Sequence, residues 1–243
     1  MTDVGFGFTE TLEAINAQSL RLHQVVGSSD LDVQVPSCPA WSVRDLGHHI
    51  GEVQWYWAEN VRARDADERS GASLTSLPSD ADLLAWMGWC TESLVGALAE
   101  SGPAAPCWTW WAAPRTAGAV ARHQAQEAAV HRWDAEGVGA PGSGSPLPAQ
   151  LAGDGVPEFV EIMIGPSAEV LGGAVTLVAS DVGEHWRVEG ASAQRPGATK
   201  EAELKATASD LVLMLYRRLP VPDADVVGDP MLVASLLSLA DTT

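Results

Sequence analysis

The run WSVRDLGHHIGEVQWYWAENVRARD, residues 41–65, restricts the fold more than any other segment. Ser42 stands where a helix cap is needed, and Asp45 follows three residues later at the start of a long periodic stretch. That pairing is the signature of a capped helix N-terminus. Three further helices are predicted around it. Residues 5–28 carry apolar side chains at Phe8, Leu12, Ile15, Leu20, Leu22 and Val25 and stop at Gly27-Ser28-Ser29. A third helix starts near Ser79, has Asp80 and Asp82 in its first turn, and runs through LLAWMGWCTESLVGALAES to Gly102-Pro103. A Pro- and Trp-rich link, PAAPCWTWWAAP, leads into RTAGAVARHQAQEAAVHRWDAEGVG, which closes with Gly137 and Gly139. Four helices are what a simple bundle needs.

The segment APGSGSPLP, residues 140–148, reads as a linker, and the texture changes after it. VTLVASD and HWRVEG are predicted to pair as strands around Val182-Gly183. ASDLVLMLYRRL and DPMLVASLLSLA are predicted as helices starting at Ser209 and Asp229. Trp186 is the one tryptophan beyond residue 133. The expected class is therefore α+β, with a four-helix bundle over residues 1–139 and a small α+β domain over 149–243.

Composition decides which partners are plausible. The chain has 32 acidic against 14 basic residues, and its only lysines are Lys200 and Lys205. Phosphate backbones and anionic headgroups are bound by Lys and Arg, so neither nucleic acid nor a membrane surface is an expected partner. No stretch is apolar for long enough to span a bilayer. The three cysteines, Cys38, Cys90 and Cys107, are odd in number and widely spaced. The opening MTDVGFGFTETLEA has neither a basic segment nor an apolar signal core. A cytoplasmic chain with free thiols is expected.

Glu127 and His131 lie four apart on the fourth predicted helix, so their side chains rise from one face about 6 Å apart along the axis. A carboxylate and an imidazole at that spacing can chelate a divalent metal, with His48 or His49 of the second helix as third donor and a fourth position left open. The same pair is also what a solvated i,i+4 ion pair looks like. His123 extends the stripe by one more turn, as a rival ligand or as part of a wet helix face.

CPAWSVRDLGHH followed by WTWWAAPRTAGAVARHQAQEAAVHRWDAEG resembles the mycothiol-dependent maleylpyruvate isomerase family, whose N-terminal part is a DinB-like four-helix bundle. In that family a histidine stands eight residues after the Trp of this motif, and a later helix carries Glu-x-x-x-His followed by an acidic residue. Trp41 plus eight is His49, the later pair is Glu127 and His131, and Asp134 follows. The resemblance implies a mononuclear zinc centre held by His49, Glu127 and His131, with His48 in a packing role. Other divalent ions suit the same ligands.

The resemblance further implies mycothiol as thiol cofactor and a small electrophilic substrate such as maleylpyruvate. A metal-stabilised thiolate would add to the cis double bond, permit rotation and leave, or in a transferase would stay attached to the substrate. A catalytically inactive metal-binding regulatory or interaction module is the alternative. Carboxylate recognition calls for arginine. Arg115, Arg122, Arg132, Arg217 and Arg218 are candidates, and the family's C-terminal arginine points to Arg218, which reads equally as a cation at a helix C-terminus. Cys38 reads as a structural thiol. Trp108, Trp110 and Trp111 read as core before they read as walls of an apolar pocket, and Asp134 as either an acceptor for His131 or a salt-bridge partner.

Overall fold

The structure is a computed structural model and describes residues 6–190, 200–222 and 225–240. Gly5, where the first helix was expected to begin, lies outside these residues, as do the outermost residues of both expected domains. The chain divides into two compact units, 1–145 and 146–243.

The first unit holds α1 (Phe8–Ser28), β1 (Gln34–Val35), β2 (Cys38–Ser42), α2 (Val43–Ala63), α3 (Leu83–Ser101) and α4 (Ala117–Glu136). At α2 the Ser42 Oγ accepts from the Asp45 backbone N–H, and the Asp45 carboxylate accepts from the Ser42 N–H. This is the reciprocal cap that the spacing predicts. α3 starts later than its acidic run suggests, because Asp82 is its N-cap and Ser79–Asp82 only make a turn. α2 packs on α3, and α1 on α4. Leu22, Val26, Leu46, Ile50, Leu83 and Met87 share one core cluster. Arg132, buried on α4, donates to Glu136 and to the Ser145 carbonyl, and Arg21 of α1 donates to the same Glu136 carboxylate.

The short β1–β2 pair is not visible in the hydropathy pattern. Its antiparallel partners are Gln34 with Ser42 and Val35 with Cys38. The Val43 N–H donates to the Val33 carbonyl and ties this hairpin to the first turn of α2. Cys38 and Trp41 are thereby brought beside the bundle.

The second unit begins with α5 (Ala149–Phe159), continued by a π turn (Val160–Ile164) and a 3₁₀ turn (Gly165–Val170). Pro157 and two glycines interrupt its helical pattern, which is why the sequence does not announce it. Next come β3 (Gly173–Ala179), β4 (Glu184–Glu189), β5 (Lys200–Ala206), α6 (Ala208–Leu215), β6 (Val226–Gly228) and α7 (Pro230–Leu237). The sheet order is β4-β3-β5-β6. β3 and β4 form the expected hairpin, with Ala179 opposite Glu184, while β3 and β5 run parallel. KEAELKA of β5 is composed of helix formers. Its extended form comes from lying between β3 and β6 with Ala202 and Leu204 buried, so tertiary pairing overrides propensity. Among the described residues, no helix is long and apolar enough to cross a membrane.

Gly51 decides how closely α2 approaches α3, because a methyl group there would clash with the edge of the Trp86 ring. In an open helix, Gly→Ala stabilises by about 1 kcal/mol. Here Gly51→Ala is expected to destabilise by about 1–3 kcal/mol through overpacking. A lowered urea midpoint checks this, and a raised one would refute the close approach.

Candidate metal centre

α4 has no apolar stripe. Most of its 20 residues are buried, and the burial runs around the whole helix. Alanines at 117, 119, 121, 125, 128, 129 and 135 make this possible by letting neighbouring helices come close. The same helix carries His123, Glu127, His131 and Asp134 into the interior, with Asp134 fully buried. The wet-face reading of the His123–Glu127–His131 stripe is therefore wrong. Polar groups so placed need partners, since an unpaired one costs about 1–3 kcal/mol and an unpaired charge more.

The partner comes from α2. His49 Nε2 lies 3.0 Å from Glu127 Oε1, and His131 Nε2 lies 3.4 Å from the same oxygen. Donor atoms of all three residues lie within 4.8 Å of one another. A tetrahedral ion with bonds of about 2.0 Å has ligand-to-ligand edges of roughly 3.3 Å, so the spacing fits a zinc-sized ion. On its far side the His131 ring donates from Nδ1 to Asp134 Oδ2 at 2.9 Å, so Nε2, which faces Glu127, is the nitrogen that could exchange its proton for a metal ion. The Cys38 thiol donates to the same carboxylate oxygen at 3.5 Å. Cys38 is half-buried and adjoins the site through Asp134. The Trp41 ring lies over both imidazoles, with centroids 4.5 Å from His49 and 5.6 Å from His131.

Burial alone would raise the Glu127 carboxyl, but the facing imidazoles of His131 and His49 hold it well below its ordinary value. Burial alone would likewise lower His131, but Glu127 and Asp134 raise it to about 9.

The remaining candidates separate. His48 turns toward α3, with its ring edge-on to Trp86 at 6.3 Å and its buried Nε2 without a hydrogen-bond partner among the described residues. His123 packs against Trp57, Trp110 and Trp111 and is not in the cluster. Arg132 is occupied within the bundle, and Arg115 donates to the Ala66 carbonyl. Arg217 donates to the carbonyls of Leu237 and Ala240 near the end of α7. Arg218 belongs to the second unit, just beyond α6, where its Nη1 donates to the Tyr216 carbonyl.

A cavity of about 590 Å³ opens beside His49 and Glu127. Glu52, Trp55, Tyr56, Leu74, Trp110 and His123 are among its walls. Trp111 is buried as core, but Trp110 is half-exposed and faces this space. Sequence reasoning had no means to single out Glu52, Tyr56 or Leu74, since nothing in their spacing ties them to the ligand pair.

Residues 12–136, just over half of the chain, match the model of the mycothiol maleylpyruvate isomerase N-terminal domain. A crystal structure of the mycothiol-dependent maleylpyruvate isomerase superposes with a TM-score of 0.65 at 13% identity, covering 92% of this chain and 93% of that one. A histidine-to-alanine mutant of the same isomerase gives 0.64 at 12% identity, with the same coverage. No curated protein matches the sequence.

In metal-free protein, His131 is expected to hold its proton up to about pH 9. Its folded value lies above its ordinary 6.5, so the stabilisation from this proton is complete below that pH and is lost as pH rises through about 9. Removing the anion in Glu127→Gln should bring the His131 transition down. NMR titration of the ring protons checks this, and an unmoved transition would mean that Glu127 does not set it.

Proposed function

The chain belongs to the mycothiol maleylpyruvate isomerase N-terminal domain family, and from that premise we propose that it is a cytoplasmic, zinc- and thiol-dependent enzyme. It works as an isomerase or S-transferase on a small electrophile, with mycothiol as the thiol. The observation that carries this reading is the convergence of His49 Nε2 and His131 Nε2, from two different helices, on Glu127 Oε1. Those three residues would hold the ion. When bound, zinc supplies Lewis acidity that favours thiolate over thiol near neutral pH.

The chain's own residues do the rest. Asp134 accepts the His131 Nδ1 proton and so holds the ring in the tautomer whose Nε2 is a donor lone pair. The Cys38 thiol donates to that same Asp134 oxygen and leaves its charge in place. Trp41 covers one side of both imidazoles, while His49 and Glu127 border the cavity, so a reactant in that space meets two of the three ligand residues. The reading rests on the first unit alone.

Elemental analysis of the purified protein tests it. One equivalent of zinc is expected in the parent and none in His49→Ala or Glu127→Ala, with circular dichroism unchanged. No metal in the parent after reconstitution with zinc, iron or nickel would overturn the reading. Asp134→Asn keeps the shape but loses the carboxylate, and should weaken metal affinity about 10–100-fold in a competitive chelator titration. Unaltered affinity would show that Asp134 does not orient His131.

A further inference from the structure

We propose that Cys38, Asp134 and the Nδ1 of His131 form a second metal site, which takes a soft, thiol-seeking ion and, when filled, empties the first. The site itself stands on its donor geometry. Only the antagonism rests on the zinc reading above.

Donor atoms of the three residues lie within 4.8 Å of one another. Cys38 Sγ is 3.5 Å from Asp134 Oδ2, and His131 Nδ1 is 2.9 Å from the same oxygen. A tetrahedral ion with bonds of about 2.3 Å to sulfur and about 2.0 Å to oxygen spans a sulfur-to-oxygen edge of roughly 3.5 Å, so that edge already has a metal-bound length. The nitrogen-to-oxygen edge has to open from hydrogen-bond length to roughly 3.3 Å. A thiolate, a carboxylate and an imidazole suit a softer ion than His49, Glu127 and His131, a set without sulfur. Two anionic donors also neutralise a divalent ion, as a site with Asp134 fully buried requires.

Cys38 is the accessible corner. It sits half-buried on β2, whereas His131 and Asp134 are buried. Among the three thiols it is also the available one, because burial pushes Cys90 and Cys107 up to about 12.

The antagonism comes from the shared ring. A neutral imidazole has one lone pair to give, on the nitrogen that carries no proton. His131 Nδ1 donates to Asp134, and Nε2 lies 3.4 Å from Glu127 Oε1. An ion at Nε2 keeps the ring proton on Nδ1, where Asp134 accepts it. An ion at Cys38 does the reverse. It replaces the thiol proton, which leaves to solvent, and takes the Nδ1 lone pair, so the ring proton moves to Nε2 and points at Glu127. His49 and Glu127 are then left as two protein ligands, too few for a zinc site. Filling both sites would mean removing the last ring proton as well, with His131 as a bridging imidazolate.

Cadmium titration of the metal-free protein, followed by thiolate-to-cadmium absorption in the ultraviolet, tests the site. The band should saturate at one equivalent and survive in His49→Ala. It should vanish in Cys38→Ser and Cys38→Ala, which keep Cys90 and Cys107, with circular dichroism unchanged. No band in the parent, or a band that persists in both Cys38 variants, would overturn the site. Elemental analysis after adding cadmium to zinc-loaded protein and gel filtration tests the antagonism. The parent should lose one zinc for each cadmium gained, and Cys38→Ser should need at least about tenfold more cadmium for the same loss. A full cadmium band with all the zinc retained would overturn the antagonism. A parent that never holds zinc yet shows the Cys38-dependent band loses the zinc reading and keeps the second site.

Discussion

Glu127 stands one turn before His131 on a helix buried on almost every side, and a carboxylate in such a place costs several kcal/mol if left without partners. His131 is supplied by the same helix, and His49 has to be brought from α2. Much of the first unit can be understood as the means of bringing it. The Ser42–Asp45 cap fixes where α2 begins, Gly51 sets how closely it lies on α3, and the alanines of α4 let that helix sit inside the bundle. Asp134 then holds His131 from behind. A bundle built only for stability would fill this space with leucine, since an apolar core is usually no less stable than a buried ionic one.

Two surroundings meet at this cluster. On one side Trp41 covers the imidazoles and the Cys38–Asp134 contact closes the far edge of His131. On the other, His49 and Glu127 border a cavity with aromatic and acidic walls. The ligand set and the cavity thus answer different chemical questions. In the proposed reading the first would hold the ion and the second would admit the reactant.

The helices of the first unit were legible because their signals are local. A capping box, an acidic first turn and a terminal glycine act over three or four residues and need no partner elsewhere in the chain. The hairpin of β3 and β4 was legible for the same reason. The β1–β2 hairpin, α5 and β5 were not. Gln34–Val35 is too short for a period, Pro157 interrupts α5, and KEAELKA becomes a strand only because β3 and β6 flank it.

For the site, the sequence by itself determined that Glu127 and His131 share a helix face, because helical geometry places i and i+4 side by side whatever surrounds them. With the family resemblance, it also nominated His49 over His48. Only the tertiary structure decided that this face is buried and not wet, that His49 reaches Glu127 while His48 turns to Trp86, and that Cys38 and Trp41 attend the cluster. It alone decided that Trp110 lines a cavity while Trp111 is core. The physical reason is that spacing along one helix follows from backbone geometry, whereas burial and contact between helices depend on side chains far apart in the chain meeting at close-packed distances.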